Sequence, residues 1–220
     1  MNPKTQIKPN IIIVDDHLIF QESLKTMIST ENLAAVIGVA NNGEDFLELL
    51  TTIQPDIVLM DIDMPKMNGM EATQKAIKLF PDLKIIALTM FSDEEYYYKM
   101  VDLGVKGFLL KSTGIAELEK AIHHVMMGES YFSNEILQKI IRNLSKKTQP
   151  KIPTIKELSA REIQILQQIC LGNTTDEIAK NLNISPKTVK AHRANLLDKS
   201  DCKNTPSLIL YALRNNIIEL

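Results

Sequence analysis

The chain has only two cysteines, Cys170 and Cys202, and it lacks any apolar run long enough to cross a bilayer. The two cysteines do not have the spacing of metal ligands, so we expect reduced thiols, as in an intracellular protein, and no disulfide. The first residues show no charged and then apolar stretch typical of a signal peptide. We therefore expect a cytoplasmic protein with no membrane segment.

Glycine is also scarce, at 8 of 220 residues, and no glycine-rich loop follows the first apolar run. Asp15, Asp16 and His17 stand where a dinucleotide-binding fold would carry its phosphate-binding glycines, so that fold is disfavoured. Internal repeats and low-complexity segments are absent too. A composition of 45% hydrophobic and 24% charged residues is ordinary for a globular protein with a packed core.

The small net charge of −2 hides an uneven distribution. Residues 1–141 contain 12 Lys and Arg against 20 Asp and Glu, whereas residues 142–220 contain 13 against 7. An acidic front and a basic back suggest that only the back binds a polyanion such as nucleic acid. Chance variation among solvated faces would give a similar count.

Up to Met126, apolar runs typical of buried strands alternate with helix-period segments. Strand and helix alternating five times predict an α/β fold, a doubly wound five-stranded parallel sheet covered by helices on both faces. The predicted strands are Ile11–Val14, Ala35–Ala40, Ile57–Met60, Ile85–Leu88 and Gly107–Leu110. The predicted helices between and after them are Leu18–Ile28, Gly43–Thr51, Gly69–Phe80, Asp93–Leu103 and Ile115–Met126.

Beyond Met126 the pattern becomes wholly helical. A helix predicted over 133–145 runs into a linker over 146–153, where two prolines lie among basic and polar residues. Further helices are predicted at Ser159–Leu171, Thr175–Leu182, Pro186–Lys199 and Pro206–Asn216. We therefore predict a first domain over 1–130, a linker helix and linker over 131–154, and a small all-α domain over 155–220.

Polar side chains close four of the predicted strands. Asp15 and Asp16 follow the first strand, Asp61 the third, Thr89 the fourth and Lys111 the fifth. Open α/β sheets bind their ligands at the carboxyl ends of the strands, so we expect these groups to meet at one edge. Each part alone is common, and an Asp pair after a strand is more often a turn, but together they predict a phosphoryl acceptor.

The predicted acceptor uses a metal ion. Mg²⁺ prefers oxygen ligands, which the carboxylates of Asp15, Asp16 and Asp61 and the backbone carbonyl of Asp63 could supply. The Asp61 carboxylate would attack a phosphorus atom while the metal and Lys111 neutralise the transferred group. The Thr89 hydroxyl would donate a hydrogen bond to a phosphoryl oxygen.

Residues 176–193 have the pattern of a helix, a short turn and a second helix. Ser185 is a favourable N-cap, and Pro186 suits the first helical position. The outward side of the second helix would enter a groove of double-stranded DNA, where small residues permit close approach and polar ones contact bases or phosphates. A solvated helix face is the alternative for its basic residues. The residues predicted to contact DNA are Lys187, Thr188, Lys190, Ala191, Arg193, Ala194 and Asn195.

Up to about Gly128 the chain resembles the receiver domain of response regulators. The resemblance rests on Asp15-Asp16, Asp61 with Met64-Pro65 and Gly69, Thr89, and Phe108-Leu109-Leu110-Lys111. It implies a flavodoxin-like fold, an aspartyl phosphate at Asp61 and Mg²⁺ at Asp15 and Asp16, with Thr89 and Lys111 at the phosphoryl group. It also implies that Phe108 turns inward when the threonine is drawn to the phosphate; simple packing would serve Phe108 equally well.

The segment from Leu158 to Leu220 resembles the LuxR-type helix-turn-helix. The matching residues are Leu158, Ser159, Arg161, Glu162, Gly172, Glu177-Ile178-Ala179, Leu182, Ile184, Ser185, Thr188-Val189-Lys190, His192 and Lys199. Ser200, where leucine is usual, and Asn215-Asn216, where Asn-Gly is frequent, depart from the pattern.

Together the two resemblances describe a two-component response regulator of the NarL/FixJ class. They imply a sensor histidine kinase or phosphotransfer protein as phosphoryl donor, double-stranded DNA as target, and a homodimer in the phosphorylated state. They imply a transcription factor and no enzyme, apart from self-phosphorylation and self-dephosphorylation.

Two other functions stay open. Asp61-Ile62-Asp63 is an Asp-x-Asp after a strand, as in phosphohydrolases of the haloacid-dehalogenase type. That motif normally closes the first strand and continues to Thr or Val at the position of Pro65. The other alternative is a transcription factor whose DNA binding does not depend on phosphorylation.

Overall fold

The computed structural model describes residues 8–90, 94–133, 136, 158–215 and 217–218. The chain divides into two compact units, Met1–Ser133 and Asn134–Leu220, each with a hydrophobic core of its own. Apart from residues 133 and 136, the predicted helix over 133–145 and the linker over 146–153 lie outside the described residues. No helix within the described ranges is long and apolar enough to cross a membrane.

The first unit is a parallel sheet with the strand order β2-β1-β3-β4-β5-β6. The strands are β1 (Asn10–Val14), β2 (Ala35–Ala40), β3 (Ile57–Asp61), β4 (Lys84–Thr89), β5 (Gly107–Leu110) and β6 (Tyr131–Phe132). The helices of this unit are α1 (Leu18–Thr30), α2 (Gly43–Leu49), α3 (Gly69–Leu79), α4 (Glu94–Leu103) and α5 (Ile115–Met126). The prediction of a doubly wound parallel α/β fold is therefore confirmed.

The sheet has six strands, so the predicted count of five was wrong by one. Tyr131 and Phe132, at the start of the predicted linker segment, pair in parallel with β5. The Tyr131 amide donates to the Lys106 carbonyl at 2.9 Å, and the Ser133 amide donates to the Phe108 carbonyl at 3.4 Å. A strand of two residues is too short to show a periodic or continuous apolar pattern, so the sequence gives no signal for it.

The order of the strands explains where a site can form. Strand β2 lies on one side of β1, while β3 to β6 follow on the other, so the connections wind in opposite directions from the centre. Such a reversal leaves a crevice at the carboxyl ends of the two central strands, here β1 and β3. Both strands are apolar and buried almost throughout, which holds this edge rigidly on the core.

The second unit is helical, with α6 (Ala160–Cys170), α7 (Thr175–Asn181), α8 (Pro186–Ser200) and α9 (Thr205–Arg214). Each helix begins after a side chain that accepts a hydrogen bond from a first-turn amide, an arrangement that stabilises a helix start. These N-caps are Ser159, Thr174, Ser185 and Asn204. Ile178 of α7 packs with Val189 and Leu196 of α8.

Candidate functional site

The structure brings the predicted acceptor groups together at the carboxyl edge of the sheet. Asp15 and Asp16 follow β1, Asp61 is the last residue of β3, Thr89 is the last of β4, and Lys111 follows β5. One ligand atom each from Asp15, Asp16, His17 and Asp61 lies within 4.8 Å of the others. The acceptor groups as a whole lie at the ends of four different strands, β1, β3, β4 and β5, so only the folded chain brings them together.

Lys111 brings a positive charge to this edge. Its ammonium nitrogen lies 2.7 Å from Asp15 Oδ2 and 2.7 Å from Asp61 Oδ2, and its side chain is 3% exposed. The ring of Phe20 packs 5.0 Å from the same nitrogen, which favours the cation further. A buried charge is costly unless it is paired, and Lys111 meets that requirement with two carboxylates.

Asp61 is buried in a way that weakens its acidity. Burial raises the pKa of this carboxyl from 3.8 to about 6, against the hydrogen bond from Lys111, and the nearby Asp15 charge raises the pKa as well. The Ile62 amide donates to Asp61 Oδ1 at 2.8 Å and holds the carboxyl in place. At neutral pH the group is therefore a carboxylate, and a more basic one than an ordinary surface aspartate.

Gly69, the first residue of α3, allows the chain to pass directly over the end of β3. A Cβ atom at this position would lie 1.8 Å from the Asp61 carbonyl oxygen, far inside van der Waals contact. The Gly69 amide donates to the Ile62 carbonyl at 2.9 Å. Only glycine permits this approach, which explains why the loop after Asp61 needs it.

The acidic residues at this edge fit a hard divalent cation. Within the part of the chain that the structure describes, Asp15 Oδ2 accepts no hydrogen bond although it lies 2.7 Å from the Lys111 ammonium, and Asp16 Oδ1 accepts none although His17 Nδ1 lies 3.0 Å away. Two buried carboxylate oxygens with unused acceptor capacity, together with Asp61, form the oxygen-rich set that Mg²⁺ prefers. The exposed residue Asp63 follows in the same loop, and the role of its carbonyl as a ligand stays a prediction.

Thr89 ends β4 at the site, whereas Phe108 lies in the neighbouring strand β5. Thr89 is 8% exposed at the site edge, and its carbonyl accepts a hydrogen bond from the Lys111 amide at 2.7 Å. Phe108 is fully buried inside the unit, with its ring centroid 5.0 Å from that of Tyr97 and 6.3 Å from that of Phe132. The aromatic ring thus lies inward here, and its movement on phosphorylation stays a prediction.

The second candidate surface is the outer side of α8. Six of the seven residues predicted to contact DNA are exposed there: Lys187, Thr188, Lys190, Ala191, Ala194 and Asn195. The Ser185 hydroxyl accepts the Thr188 amide hydrogen bond at 3.1 Å and so fixes the start of the helix. The opposite side of α8, through Val189 and Leu196, is fully buried in the core.

Arg193, the seventh residue of that set, is positioned differently. It is half-buried, and its guanidinium donates to the Thr175 hydroxyl at 3.0 Å and to the Thr205 hydroxyl at 3.0 Å. These threonines are the first residues of α7 and α9, so Arg193 joins three helices. This bracing role follows from the geometry, and a direct contact of Arg193 with DNA stays a prediction.

Comparison with known proteins identifies both units. Residues 11–123 match the family described as response regulator receiver domain, and residues 156–212 match the family described as bacterial regulatory proteins, luxR family. The chain is 36% identical over 207 residues to the transcriptional regulatory protein YhcZ of Bacillus subtilis, covering 94% of this chain and 96% of YhcZ. The chain belongs to the NarL/FixJ class of response regulators.

Further relatives agree with this family assignment. The chain is 34% identical over 214 residues to the oxygen regulatory protein NreC of Staphylococcus aureus, and the match covers 95% of this chain and 99% of NreC. The crystal structure of the response regulator ChrA, from a heme-sensing two-component system, is similar at a TM-score of 0.53 and 26% identity, covering 96% of this chain and 100% of that chain. The chain is a DNA-binding response regulator that acts in transcription.

The phosphohydrolase alternative is not favoured for this response regulator. Asp61 closes β3, the third strand in chain order, whereas the haloacid-dehalogenase pattern places its Asp-x-Asp at the end of the first strand. The residue at the place of the usual Thr or Val is Pro65. The family assignment of both units agrees with this reading.

The sequence did not predict three residues that surround the acidic pair of the response regulator. The His17 amide donates to Asp15 Oδ1 at 2.9 Å, Phe20 packs against Lys111, and Gln21 donates to the Asp15 carbonyl. His17 stands beside the acidic pair in the sequence, which is a usable signal. Phe20 and Gln21 reach the site only because α1 folds back along β1, and no local pattern indicates such a contact.

Proposed function

We propose that Asp61 accepts a phosphoryl group from a sensor histidine kinase or phosphotransfer protein, and that this event changes dimerisation and DNA binding. The observation that carries the proposal is that Lys111 pairs with the carboxylates of both Asp61 and Asp15 at the carboxyl edge of the sheet. A carboxylate of raised basicity is a better nucleophile than an ordinary aspartate, and the paired lysine can neutralise an incoming phosphoryl group.

The transfer is an in-line displacement at phosphorus. An Asp61 carboxylate oxygen forms the new O–P bond while the bond from phosphorus to the donor breaks, and the electron pair leaves with the donor. Asp15, Asp16, Asp61 and the Asp63 carbonyl would hold Mg²⁺, which would supply positive charge to the phosphoryl oxygens. The Lys111 ammonium, 2.7 Å from the acceptor carboxylate, contributes a further positive charge.

The response to the transfer begins at Thr89. Its hydroxyl donates a hydrogen bond to a phosphoryl oxygen, and its carbonyl already accepts the Lys111 amide, so a shift of Thr89 pulls on the end of β5. Phe108 lies within β5 and packs between Tyr97 and Phe132. A rearrangement of Phe108 would alter the surface of α4, β5 and β6.

The output is DNA binding by the exposed side of α8. Its small residues let the helix approach the groove, while Lys187, Lys190 and Asn195 offer donors for phosphates or bases. One small helix-turn-helix binds weakly and with strong salt dependence. A homodimer that places two such units on adjacent half-sites of double-stranded DNA binds far more tightly, because the second contact becomes intramolecular.

The first test is the mobility of the full chain on a phosphate-affinity gel after incubation with acetyl phosphate and Mg²⁺. We expect a shifted band for the parent and for Asp82→Asn, an exposed carboxylate just before β4 that serves as a matched control. We expect no shifted band for Asp61→Asn. A shift that persists in Asp61→Asn would refute the assignment of the acceptor.

A parallel measurement of DNA affinity distinguishes a transcription factor regulated by phosphorylation from one whose DNA binding does not depend on it. Labelled duplexes selected from a random library by the phosphorylated and the unphosphorylated parent are titrated with each form of the protein. Different affinities of the two forms in the parent, but not in Asp61→Asn, support the proposal. Equal affinities beside a clear phosphorylation shift would favour a transcription factor that is independent of the phosphoryl group.

A further inference from the structure

Gln21 is a buried amide on the first turn of α1, beside the acidic pair. Only 4% of the surface of Gln21 is exposed. The side-chain nitrogen lies within hydrogen-bond distance of the Asp15 carbonyl, of the Ala40 carbonyl at 2.9 Å, and of Asn41 Oδ1 at 3.0 Å. The two amide hydrogens are therefore shared among three acceptors, which ties α1 to the carboxyl ends of β1 and β2.

These contacts control the peptide unit that joins Asp15 to Asp16. A peptide group is planar, so the direction of the Asp15 carbonyl also fixes the direction of the Asp16 amide. The Asp15 amide on the other side donates to the Ala40 carbonyl at 3.0 Å. With both its amide and its carbonyl held, Asp15 cannot rotate its backbone, and the directions in which the two carboxylates leave the chain are set.

We propose that Gln21 is a positioning residue that sets the angle between the Asp15 and Asp16 carboxylates and thereby the affinity of the site for Mg²⁺. The inference rests on the proposed function, because it takes these two carboxylates as ligands of the ion. Mg²⁺ demands nearly ideal octahedral geometry, so a ligand set that is free to rotate binds it less well. Hydrogen-bond partners behind the direct ligands typically change metal affinity about 10–100-fold when they are removed.

A buried amide also serves packing, and the test separates the two roles by comparing the Kd for Mg²⁺ with the phosphorylation rate at saturating Mg²⁺. Gln21→Leu keeps the approximate volume and removes both amide hydrogens. Glu22→Gln, at the exposed neighbouring position on α1, is the matched control.

The experiment is calorimetric titration of the full-length chain with MgCl₂, combined with the rate of phosphorylation by acetyl phosphate as a function of Mg²⁺ concentration. Calorimetry is suitable because the chain contains no tryptophan that could report binding by fluorescence. For Gln21→Leu we expect a Kd for Mg²⁺ about tenfold higher, with little change in the rate at saturating Mg²⁺. For Glu22→Gln we expect a Kd within about threefold of the parent.

Three results would overturn the inference. The parent Kd in Gln21→Leu would show that the amide does not act on the metal site. A lower phosphorylation rate of Gln21→Leu at saturating Mg²⁺ would assign Gln21 to packing alone. A parent that binds no Mg²⁺ would refute the proposed metal site itself and this inference with it.

A thermal melt of each variant checks that it folds. If Gln21→Leu does not fold, Gln21→Asn replaces it, because it keeps the amide but withdraws it from the three acceptors by one methylene. A raised Kd in Gln21→Asn supports the inference, and the parent Kd overturns it.

Discussion

Replacing Asp61 by asparagine should stabilise the metal-free protein at neutral pH, even though it removes the proposed acceptor. Burial and the neighbouring Asp15 raise the pKa of Asp61 from 3.8 to about 6, despite the hydrogen bond from Lys111. The folded protein therefore binds this proton more tightly than the unfolded chain does. The stability that Asp61 contributes is fully present below pH 3.8 and is lost as the pH rises through about 6.

The size of the effect follows from the shift. One pKa unit corresponds to about 1.36 kcal/mol, so a rise of roughly two units costs the folded state about 3 kcal/mol at neutral pH. Asparagine imitates the neutral acid at every pH and avoids this cost. The gain is an upper value because the variant loses the charged acceptor of Lys111, although Lys111 keeps its contact with Asp15 at 2.7 Å.

Urea unfolding of parent and Asp61→Asn, in chelator and at two pH values, measures the prediction. The variant should be more stable by about 2–3 kcal/mol near pH 7.5, and the difference should shrink to nearly zero near pH 4. Added Mg²⁺ should stabilise the parent and leave the variant almost unchanged. A variant no more stable than the parent near neutral pH, or a gain that is the same at both pH values, would refute the reasoning.

Three further predictions follow from single contacts. Gly69→Ala should lower the free energy of unfolding by about 3 kcal/mol or more and slow phosphorylation, because the new Cβ collides with the Asp61 carbonyl. Lys199→Met should lower the free energy of unfolding by about 2–3 kcal/mol at neutral pH, because it leaves the buried Glu162 carboxylate without its cation. The side chain of Glu162 is only 5% exposed, whereas that of Lys199 is 32% exposed. Lys199 and Ser159 lower the pKa of Glu162 from 4.5 to about 2, so this stability is present above pH 4.5 and is lost as the pH falls through about 2. Lys187→Ala should weaken binding to all duplexes by a similar factor and reduce the slope of affinity against salt by about 1 if the lysine contacts a phosphate.

Each of these predictions has a matched control. Gly114→Ala adds a Cβ that meets nothing within 4 Å, so it should cost at most about 1 kcal/mol of stability, as expected for alanine at a helix N-cap, and leave phosphorylation nearly unchanged. Lys180→Met and Lys180→Ala replace an exposed lysine at the end of α7 and should affect neither acid stability nor the salt slope. A Gly69→Ala variant as stable as Gly114→Ala, a Lys199→Met loss that does not shrink in acid, or an unchanged salt slope in Lys187→Ala would contradict the respective prediction.

Much of this molecule can be predicted from the sequence because its strongest features are local. Continuous apolar runs indicate β1 and β3, and the polar residues that end them, Asp15 and Asp61, lie at the edge where a parallel sheet presents them. The start of α8 is equally local, since Ser185 and Pro186 are adjacent and act through their own backbone geometry. These features need no knowledge of distant contacts.

The features that escaped prediction depend on contacts between distant segments. Strand β6 forms because two residues after α5 pair with the outer edge of β5. Two residues are too few to show a periodic hydrophobic pattern in the sequence. Arg193 fits the pattern of an outward basic residue, yet in the fold its guanidinium meets threonines of α7 and α9. Gln21 looks like any polar residue of an amphipathic helix, and only the fold places its amide beside the carbonyls of β1 and β2.

The short strand β6 has a consequence for association between molecules. Without it, β5 would be the outermost strand and would offer a row of unpaired backbone groups to any passing extended chain, a known route to aggregation. Tyr131 and Phe132 cover two of those positions, and so short an outer strand gives another chain little to extend. Strand β6 is also the point at which the polypeptide leaves the first unit. The resistance of this sheet edge to strand addition therefore depends on how stably β6 stays paired with β5.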